Sequence, residues 1–268
     1  IVISDRSNHA SIVDAILLSR VEFKRYPHKD IGVLEKILEG TGAFKKKLIV
    51  TDTLFSMDGD CAPLPEIIEL AKKFNAMVMV DEAHATGVFG EGRSGLVEHF
   101  GLEAEVDVHM GTLSKAFGCL GGYVAGKRQL IDYLINKSRT FIYTTALAPS
   151  ILASSIAAVD IVEKEFWMTA ALWERARFMK RSLMDLGFNL MGAESQIMPI
   201  YVGETAKAVD FSGALFEEGV FIQAIRPPTV PEGQARLRLT LMATHKKQDL
   251  ERALEIIGKV AKRIGIIS

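Results

Sequence analysis

Short apolar runs alternate with helical patterns along the first half of the chain. Residues 10–20 place Ile12, Ala15, Ile16 and Ser19 on one face of a helix. Residues 76–80 (AMVMV) instead form a continuous apolar run, typical of a strand covered on both faces. This alternation predicts βαβ units and an α/β fold with a mainly parallel sheet flanked by helices. The predicted strands are 1–4, 21–26, 47–51, 76–80, 106–110 and 122–125, and the predicted helices are 10–20, 31–39 and 65–75.

The pattern changes in the second half, where a long helical stretch is followed by a smaller α+β arrangement. In its last strand Arg236, Arg238 and Thr240 fall on one face, because side chains alternate along a strand. We therefore expect two domains, 1–152 and 153–268. The predicted helices are 150–186, 206–218 and 248–264, and the predicted strands are 197–202, 220–225 and 236–241.

Composition favours a globular protein that binds small ligands. Of 268 residues, 49% are hydrophobic, enough to bury a core in one or two domains. The 32 basic and 33 acidic residues nearly cancel, so charge favours neither nucleic acid nor an anionic membrane as a partner. Cys61 and Cys119 are too few for a disulfide framework, which favours a reducing compartment, the cytoplasm.

The sequence contains no candidate membrane segment or targeting signal. No run of about 18 consecutive apolar residues occurs. The chain begins at Ile1 inside a predicted strand, without a Met, a basic n-region or a cleavage site. We therefore expect an N-terminal part to be missing.

The segment MVMVDEAHATG, residues 77–87, places Asp81 just past the end of a buried strand. Open α/β sheets gather their ligands at this edge. A carboxylate there can hold a pyridinium nitrogen protonated, because opposite charges stabilise each other, and His84 could bond a phenolic oxygen of the same ring. Two alternatives stay open: a capped turn with a satisfied histidine, or a metal site formed by Asp81, Glu82 and His84.

The segment GTLSKAFG, residues 111–118, carries Lys115 between two glycines. Small residues allow a flat ring to approach the backbone. A lysine desolvated beside another cation can form and exchange imines, and Thr112 can offer a hydroxyl to a phosphate. A solvated loop lysine would give the same sequence.

Two nucleotide-binding patterns in this region lack their required context. Gly90, Gly92 and Gly95 satisfy G-x-G-x-x-G, but no strand directly precedes them. The stretch 121–127 resembles the start of a P-loop, yet Arg128 stands where a Ser or Thr must bind Mg²⁺. We therefore discount both.

Taken together, these segments resemble the α-oxoamine synthase family of fold-type I pyridoxal-phosphate (PLP) enzymes, over essentially the whole chain. The matching segments, in order, are SNHAS at His9, FSMDGD at Ser56, DEAHATGVFGEGRSG at Asp81, GTLSKAFG at Lys115 and IRPPTVPEGQARLRLTLMATH from Ile225. The last segment looks most like the biotin-pathway members. The family carries a further stretch before the position of Ile1, which this chain lacks.

The resemblance implies PLP as cofactor and assigns a role to each matching residue. Lys115 would form the Schiff base, Asp81 would pair with the pyridine nitrogen, and His84 would lie near the phenolic oxygen. His9, otherwise a helix-entry residue, would stack on the ring. The implied cofactor-binding residues are His9, Ser56, Asp81, His84, Thr112, Lys115 and Thr145, of which His9, Asp81 and Lys115 are also implied to be catalytic.

The resemblance also implies partners and a reaction. Thr145 would reach the phosphate across the interface of a homodimer, and Thr229 and Arg238 would bind substrate, Arg238 through the amino-acid carboxylate. The implied reaction is a decarboxylative condensation of an amino acid, alanine in the favoured interpretation, with an acyl-CoA. Family members that use glycine or serine are the alternative, and so is an incomplete chain that keeps the fold without activity.

Overall fold

The computed structural model describes residues 1–267, which form two compact units. The first contains Ile1–Phe55 and Ala62–Glu165, and the second contains Ser56–Cys61 and the chain from Phe166 onward. The predicted boundary after residue 152 falls within a helix, Pro149–Lys164, that belongs to the first unit. The sequence analysis did not predict that the short segment Ser56–Cys61 belongs to the second unit.

The first unit is built on a six-stranded sheet in the order β2-β1-β3-β4-β5-β6. The first five strands pair in parallel and β6 is antiparallel to β5, which confirms the predicted mainly parallel sheet. The chain leaves β1 toward β2 on one side and returns to β3 on the other, which makes the β1/β3 pair a topological switch point. The strands are β1 (Val2–Asp5), β2 (Phe23–Tyr26), β3 (Leu48–Asp52), β4 (Met77–Asp81), β5 (Val108–Thr112) and β6 (Gly122–Gly126).

Seven helices of the first unit flank or follow this sheet. Ile12 and Ile16 of α1 pack on Val50 of β3, as predicted, whereas Ala15 and Ser19 of the predicted face are exposed. Arg20 ends α1 because it adopts a left-handed backbone conformation, as Asn75 does after α3. The helices are α1 (Ala10–Ser19), α2 (Ile31–Glu39), α3 (Leu64–Phe74), α4 (Leu96–His99), α5 (Arg128–Lys137), α6 (Arg139–Ile142) and α7 (Pro149–Lys164).

The second unit is a three-stranded antiparallel sheet, in the order β7-β9-β8, with three helices. The predicted single helix over 150–186 is wrong: the backbone of Glu165 leaves the helical region, so α7 ends at Lys164 and α8 begins at Phe166. The elements are α8 (Phe166–Asp185), β7 (Ile197–Gly203), α9 (Thr205–Glu217), β8 (Gln223–Ile225), β9 (Ala235–Thr240) and α10 (Lys247–Arg263). None of the described helices combines the length and the apolar character needed to cross a membrane.

Candidate active site

Three parallel strands of the first unit end in an aspartate at the same edge of the sheet. Asp5 is the last residue of β1, Asp52 of β3 and Asp81 of β4, and all three are buried. Asp81 is therefore the last residue of its strand, whereas the sequence analysis placed it just after the strand. Asp52 pairs with Asp81 in the β3/β4 register, so the two carboxylates point to the same face. The switch point adjoins them, and an open sheet binds its ligand there.

Asp81 is 6% exposed, and its Oδ1 accepts a hydrogen bond of 2.8 Å from the backbone N–H of Ala83. Burial raises the pKa of this carboxyl, because the charged form loses its hydration, while the Ala83 bond and the charges of Lys115 and His9 lower it. The structure therefore brings Lys115 and His9 into electrostatic range of Asp81. Residues far apart in the sequence meet at one edge, as predicted for a cofactor site.

Asp52 is the residue of this group that the sequence reasoning missed. It is 3% exposed, and burial, followed by the neighbouring Asp81, raises its pKa to about 8. The signal that could have found it is the one used for Asp81, since Asp52 directly follows the predicted strand 47–51.

His9 caps the first turn of α1 and leaves its ring exposed. Its Nδ1 accepts from the Ser11 backbone N–H at 3.3 Å and lies 2.8 Å from the Ser11 hydroxyl. Because Nδ1 accepts the Ser11 N–H, Nε2 is the ring nitrogen that is left to meet a ligand. A flat, exposed imidazole held in this way is suited to stack on an aromatic ring.

The loop that carries Lys115 is closed by hydrogen bonds at its base. The Leu113 N–H donates to Gly121 at 2.9 Å, and the Cys119 N–H donates to Leu113 at 2.7 Å. Gly118 supplies a positive φ of 61°, which suits glycine in the turn after Lys115. The exposed lysine is therefore presented from a loop whose ends are fixed.

Thr112 helps to fix this loop. Its hydroxyl donates to the carbonyl of Gly121 at 2.9 Å, accepts from the Ser114 N–H at 3.2 Å and lies 2.7 Å from the Ser114 hydroxyl. The exposed Ser114 hydroxyl is a second polar group beside Lys115, and the sequence reasoning did not single it out. A phosphate-binding role for Thr112 stays a prediction.

Gly87 determines how closely the segment after β4 approaches the lysine loop. It has a φ of +82°, and a Cβ at this position would lie 2.6 Å from the Cβ of Ala116. A larger residue would therefore clash beside Lys115 as well as strain the backbone. Gly87 thus has a packing reason of its own in the DEAHATG segment.

The carboxylate of Glu82 connects the end of β4 to the first turn of α4. It accepts hydrogen bonds from the backbone N–H groups of Leu96 (3.0 Å) and Val97 (2.8 Å) and from the Thr53 hydroxyl (2.7 Å). Glu82 is therefore committed to anchoring α4. His84 lies half-buried in the turn after β4, in the first unit with Asp81.

The remaining predicted residues lie elsewhere. Thr145 is exposed in the loop between α6 and α7. Ser56, Thr229 and Arg238 belong to the second unit, with Thr229 exposed in the loop between β8 and β9. Their roles toward cofactor or substrate stay predictions.

Arg236 and Arg238 share a face of β9 but have different surroundings. Arg236 is 1% exposed and forms an ion pair with Asp58, and its Nε donates to the Gln234 carbonyl at 3.0 Å. Arg238 is half-buried, which lowers its guanidinium pKa, and its Nε donates to the Ser56 carbonyl at 2.6 Å. Within the described residues no carboxylate pairs with Arg238. Its Nη atoms therefore suit an incoming carboxylate.

The chain was compared with known proteins. A family model for aminotransferases of class I and II matches residues 1–257. The chain belongs to this family. A curated relative, 8-amino-7-oxononanoate synthase of Citrifermentans bemidjiense, is 48% identical over 270 residues, which cover 99% of this chain and 69% of that protein.

Solved structures of this aminotransferase-family fold are also similar. Serine palmitoyltransferase of Sphingomonas wittichii superposes with a TM-score of 0.97 at 34% identity, over 100% of this chain and 67% of that one. Serine palmitoyltransferase of S. paucimobilis with bound PLP and myriocin superposes with a TM-score of 0.96 at 32% identity. The match covers 99% of this chain and 67% of that one. The predicted fold-type I architecture and the α-oxoamine synthase resemblance are confirmed.

The residues present fit the cofactor that this family uses. A buried carboxylate suits a pyridinium nitrogen, an exposed imidazole suits the ring face, and an amine on a fixed loop suits an aldehyde. Asp81, His9 and Lys115 provide these three groups at one edge of the sheet. The family assignment and the donor set agree.

Proposed function

We propose that this chain is a PLP-dependent 8-amino-7-oxononanoate synthase. It would condense L-alanine with pimeloyl-CoA to give 8-amino-7-oxononanoate, CoA and CO₂, a step of biotin biosynthesis. The observation that carries the proposal is the electrostatic grouping of Lys115 and His9 around the buried Asp81, in a chain 48% identical to a synthase of that name.

PLP, when bound, supplies an aromatic electron sink for charge that develops at the substrate Cα. Asp81 would hold the ring nitrogen protonated, and a cation beside it would in turn favour the ionised carboxylate. His9 would lie on the ring face and restrict its tilt. His84 would bond the phenolic oxygen, and Thr112, Ser56 and the partner copy's Thr145 would contact the phosphate or the ring.

Lys115 has two tasks in this proposal. Its Nζ would hold the cofactor, and once the amino acid is bound the same Nζ would act as the general base toward the proton on the substrate Cα. Lys115 lies within electrostatic range of the Asp81 carboxyl, at the edge of the sheet where the substrate Cα would be placed. The backbone hydrogen bonds that close the lysine loop would keep the amine within reach of the cofactor and the substrate.

Arg238 would bind the amino-acid carboxylate through its Nη atoms, because its Nε is already engaged by the Ser56 carbonyl. A planar guanidinium can grip a carboxylate with two parallel hydrogen bonds. Thr229, exposed in the loop before β9, would contact the substrate nearby. The resemblance assigned both roles, and the unpaired Nη atoms of Arg238 support the first.

A serine palmitoyltransferase activity is the second candidate, and the TM-score of 0.97 favours it. Backbone similarity reports the fold, which many activities share. Sequence identity of 48% to the synthase against 34% to the palmitoyltransferase favours alanine and pimeloyl-CoA.

The test is CoA release by the PLP-loaded protein with alanine, glycine or serine, each combined with pimeloyl-CoA, acetyl-CoA, succinyl-CoA or palmitoyl-CoA. We expect fastest release with alanine and pimeloyl-CoA. Faster release with serine and palmitoyl-CoA would replace the proposal with its alternative. Visible absorbance from bound PLP, recorded first, separates loss of cofactor binding from a different substrate choice.

We further propose that the chain forms a homodimer with shared sites. Helices α5 and α6 bury no side chain and α7 buries only Ser155, while apolar residues around Thr145 are largely exposed. Exposed apolar side chains concentrated in one stretch of the chain support an interaction site there. The exposed apolar residues are Tyr133, Phe141, Tyr143, Leu147, Leu152 and Ile156.

Sedimentation velocity tests this assembly. The wild type should sediment as two chains, and Phe141→Asp should shift it to one, because a charge would be buried in the interface. Phe221→Asp, at an exposed phenylalanine of the second unit, is the matched control and should leave the dimer intact. A monomeric wild type would contradict the assembly. We also propose the cytoplasm as the compartment, because two cysteines in the sequence are too few for a disulfide framework.

A further inference from the structure

Asp52 is a buried carboxyl at the site that the proposed function does not use. It ends β3, is 3% exposed and lies opposite Asp81 in the strand register. Burying a carboxylate is costly unless it is paired or protonated. A second acid in direct register with Asp81 therefore requires a physical explanation.

Asp52 and the segment before α1 hold each other through two reciprocal hydrogen bonds. The backbone N–H of Asp52 donates to Oδ1 of Asn8 at 2.8 Å, and the backbone N–H of His9 donates to Oδ1 of Asp52 at 3.3 Å. Asn8 is itself fixed, because its Nδ2 donates to the carbonyl of Val50 at 2.7 Å and to the hydroxyl of Ser4 at 2.8 Å. The end of β3 thus sets the position of the residue whose ring is assigned to stack on the cofactor.

The charges around Asp52 do not neutralise it by an ion pair. Asp81 from β4 and Asp5 from β1 raise its pKa, the His9 backbone bond lowers it, and Lys115 from the loop after β5 lowers it least of these. Burial has the largest effect, and together they raise the pKa to about 8. Two adjacent buried carboxyls share one negative charge more cheaply than they carry two. At neutral pH Asp52 therefore holds the proton, and Asp81 is the member beside cationic groups.

We propose that Asp52 is a positioning residue that works as a neutral carboxylic acid: it fixes His9 through the backbone and leaves the negative charge of the site to Asp81. The part of this proposal that concerns PLP rests on the proposed function. A neutral acid can accept the His9 N–H bond through its carbonyl oxygen. An ionised Asp52 would instead compete with Asp81 for the nearby cations.

The first test uses a conservative and a disruptive variant of the full chain. Asp52→Asn keeps a carbonyl oxygen for the His9 N–H and is always neutral, so PLP should bind within about twofold of the wild type. Asp52→Ala removes the acceptor, so PLP binding, measured by fluorescence titration, should weaken about five- to tenfold. Equal losses in both variants would mean that the ionised form is needed and would overturn the proposal. So would wild-type binding by Asp52→Ala.

The second test needs no cofactor. The folded pKa of about 8 lies above the value near 3.9 expected for an unfolded chain, so the folded state holds one more proton between these limits. The free energy of unfolding of the apoprotein should therefore fall as pH rises from about 5 to 8. Asp52→Asn should remove the part of this decline that comes from Asp52, and the raised pKa values of Asp81 and Glu82 account for what is left. Asp5→Asn alters a lesser influence on Asp52 and should keep most of the decline.

These measurements separate the possible failures. If the wild type gains no visible absorbance with PLP, the proposed function fails, whereas the pH dependence of the apoprotein still tests the state of Asp52. If Asp52→Ala does not fold, Asp52→Asn alone decides: an unchanged decline of stability with pH in that variant would show that Asp52 is not the group that holds the proton.

Discussion

Each of the two units places two like charges next to each other, and each neutralises one of them in a different way. On β9, Arg236 is paired with the Asp58 carboxylate, whereas Arg238 keeps its Nη atoms for a ligand. At the sheet edge, burial and the neighbouring Asp81 raise the pKa of Asp52 to about 8, whereas the charges of Lys115 and His9 partly offset the effect of burial on Asp81. Buried like charges are stable only if one is compensated, by a counterion or by a proton. In the proposed function, the other member of each pair is the one that meets the cofactor or the substrate.

Removing the amine that faces the aspartate pair should have the largest effect. Lys115→Ala should lower the rate of CoA release by about 10⁴-fold, the upper end of a general base's contribution. It should also abolish the visible absorbance that borohydride traps in the wild type. Lys127→Ala, an exposed lysine of the discounted P-loop pattern, is the control and should change neither. Trappable absorbance in Lys115→Ala would refute the lysine assignment.

Neutralising the charged member of the aspartate pair should have the next largest effect. Asp81→Asn should still bind PLP but slow exchange of the alanine Cα proton by about 10²- to 10³-fold, because the ring nitrogen loses its anionic partner. Deuterium exchange followed by NMR measures this directly. The comparison with Asp52→Asn is decisive, since exchange should stay near the wild-type rate in that variant. Equal slowing in both would mean that the two aspartates do not differ in role.

Substitutions of the two arginines should have different effects, one on substrate binding and the other on the stability of the fold. Arg238→Gln should raise the KM for the amino acid by about 10- to 100-fold, the loss of charged hydrogen bonds, with little change in the Tm. Arg236→Gln should lower the free energy of unfolding by about 3 kcal/mol, because Asp58 is left unpaired. A thermal melt and a KM for each variant test the pair. The distinction fails if Arg238→Gln is the less stable of the two.

Most of the fold was predictable because its elements have strong local signals. The helix over 31–39 is correct to the residue, and the strand at 122–125 is one residue short. The break at Glu165 was not predictable, because apolar and polar residues continue in helical spacing across it. Helices α4 to α6 were also missed, and α5 and α6 bury no side chain that would mark a core-facing stripe.

The site was predictable only where a residue follows a strand or sits in a recognisable segment. Asp81 and Lys115 satisfied these conditions, and the structure places them within electrostatic range. Asp52 also directly follows a predicted strand and could have been noted, but its register with Asp81 was not predictable because no single segment contains it. The contrast between Arg236 and Arg238 was equally hidden, since it depends on Asp58 and Ser56, far away in the sequence.

The narrow gap between Gly87 and Ala116 has a consequence for protein engineering. Because a Cβ at position 87 would lie 2.6 Å from the Cβ of Ala116, the two loops beside Lys115 cannot be enlarged independently. Libraries that diversify one loop to accept bulkier acyl donors should leave position 87 fixed, or most members will be lost to misfolding before any selection for turnover. In related sequences we expect substitutions at these two positions to be correlated, with small residues retained at both.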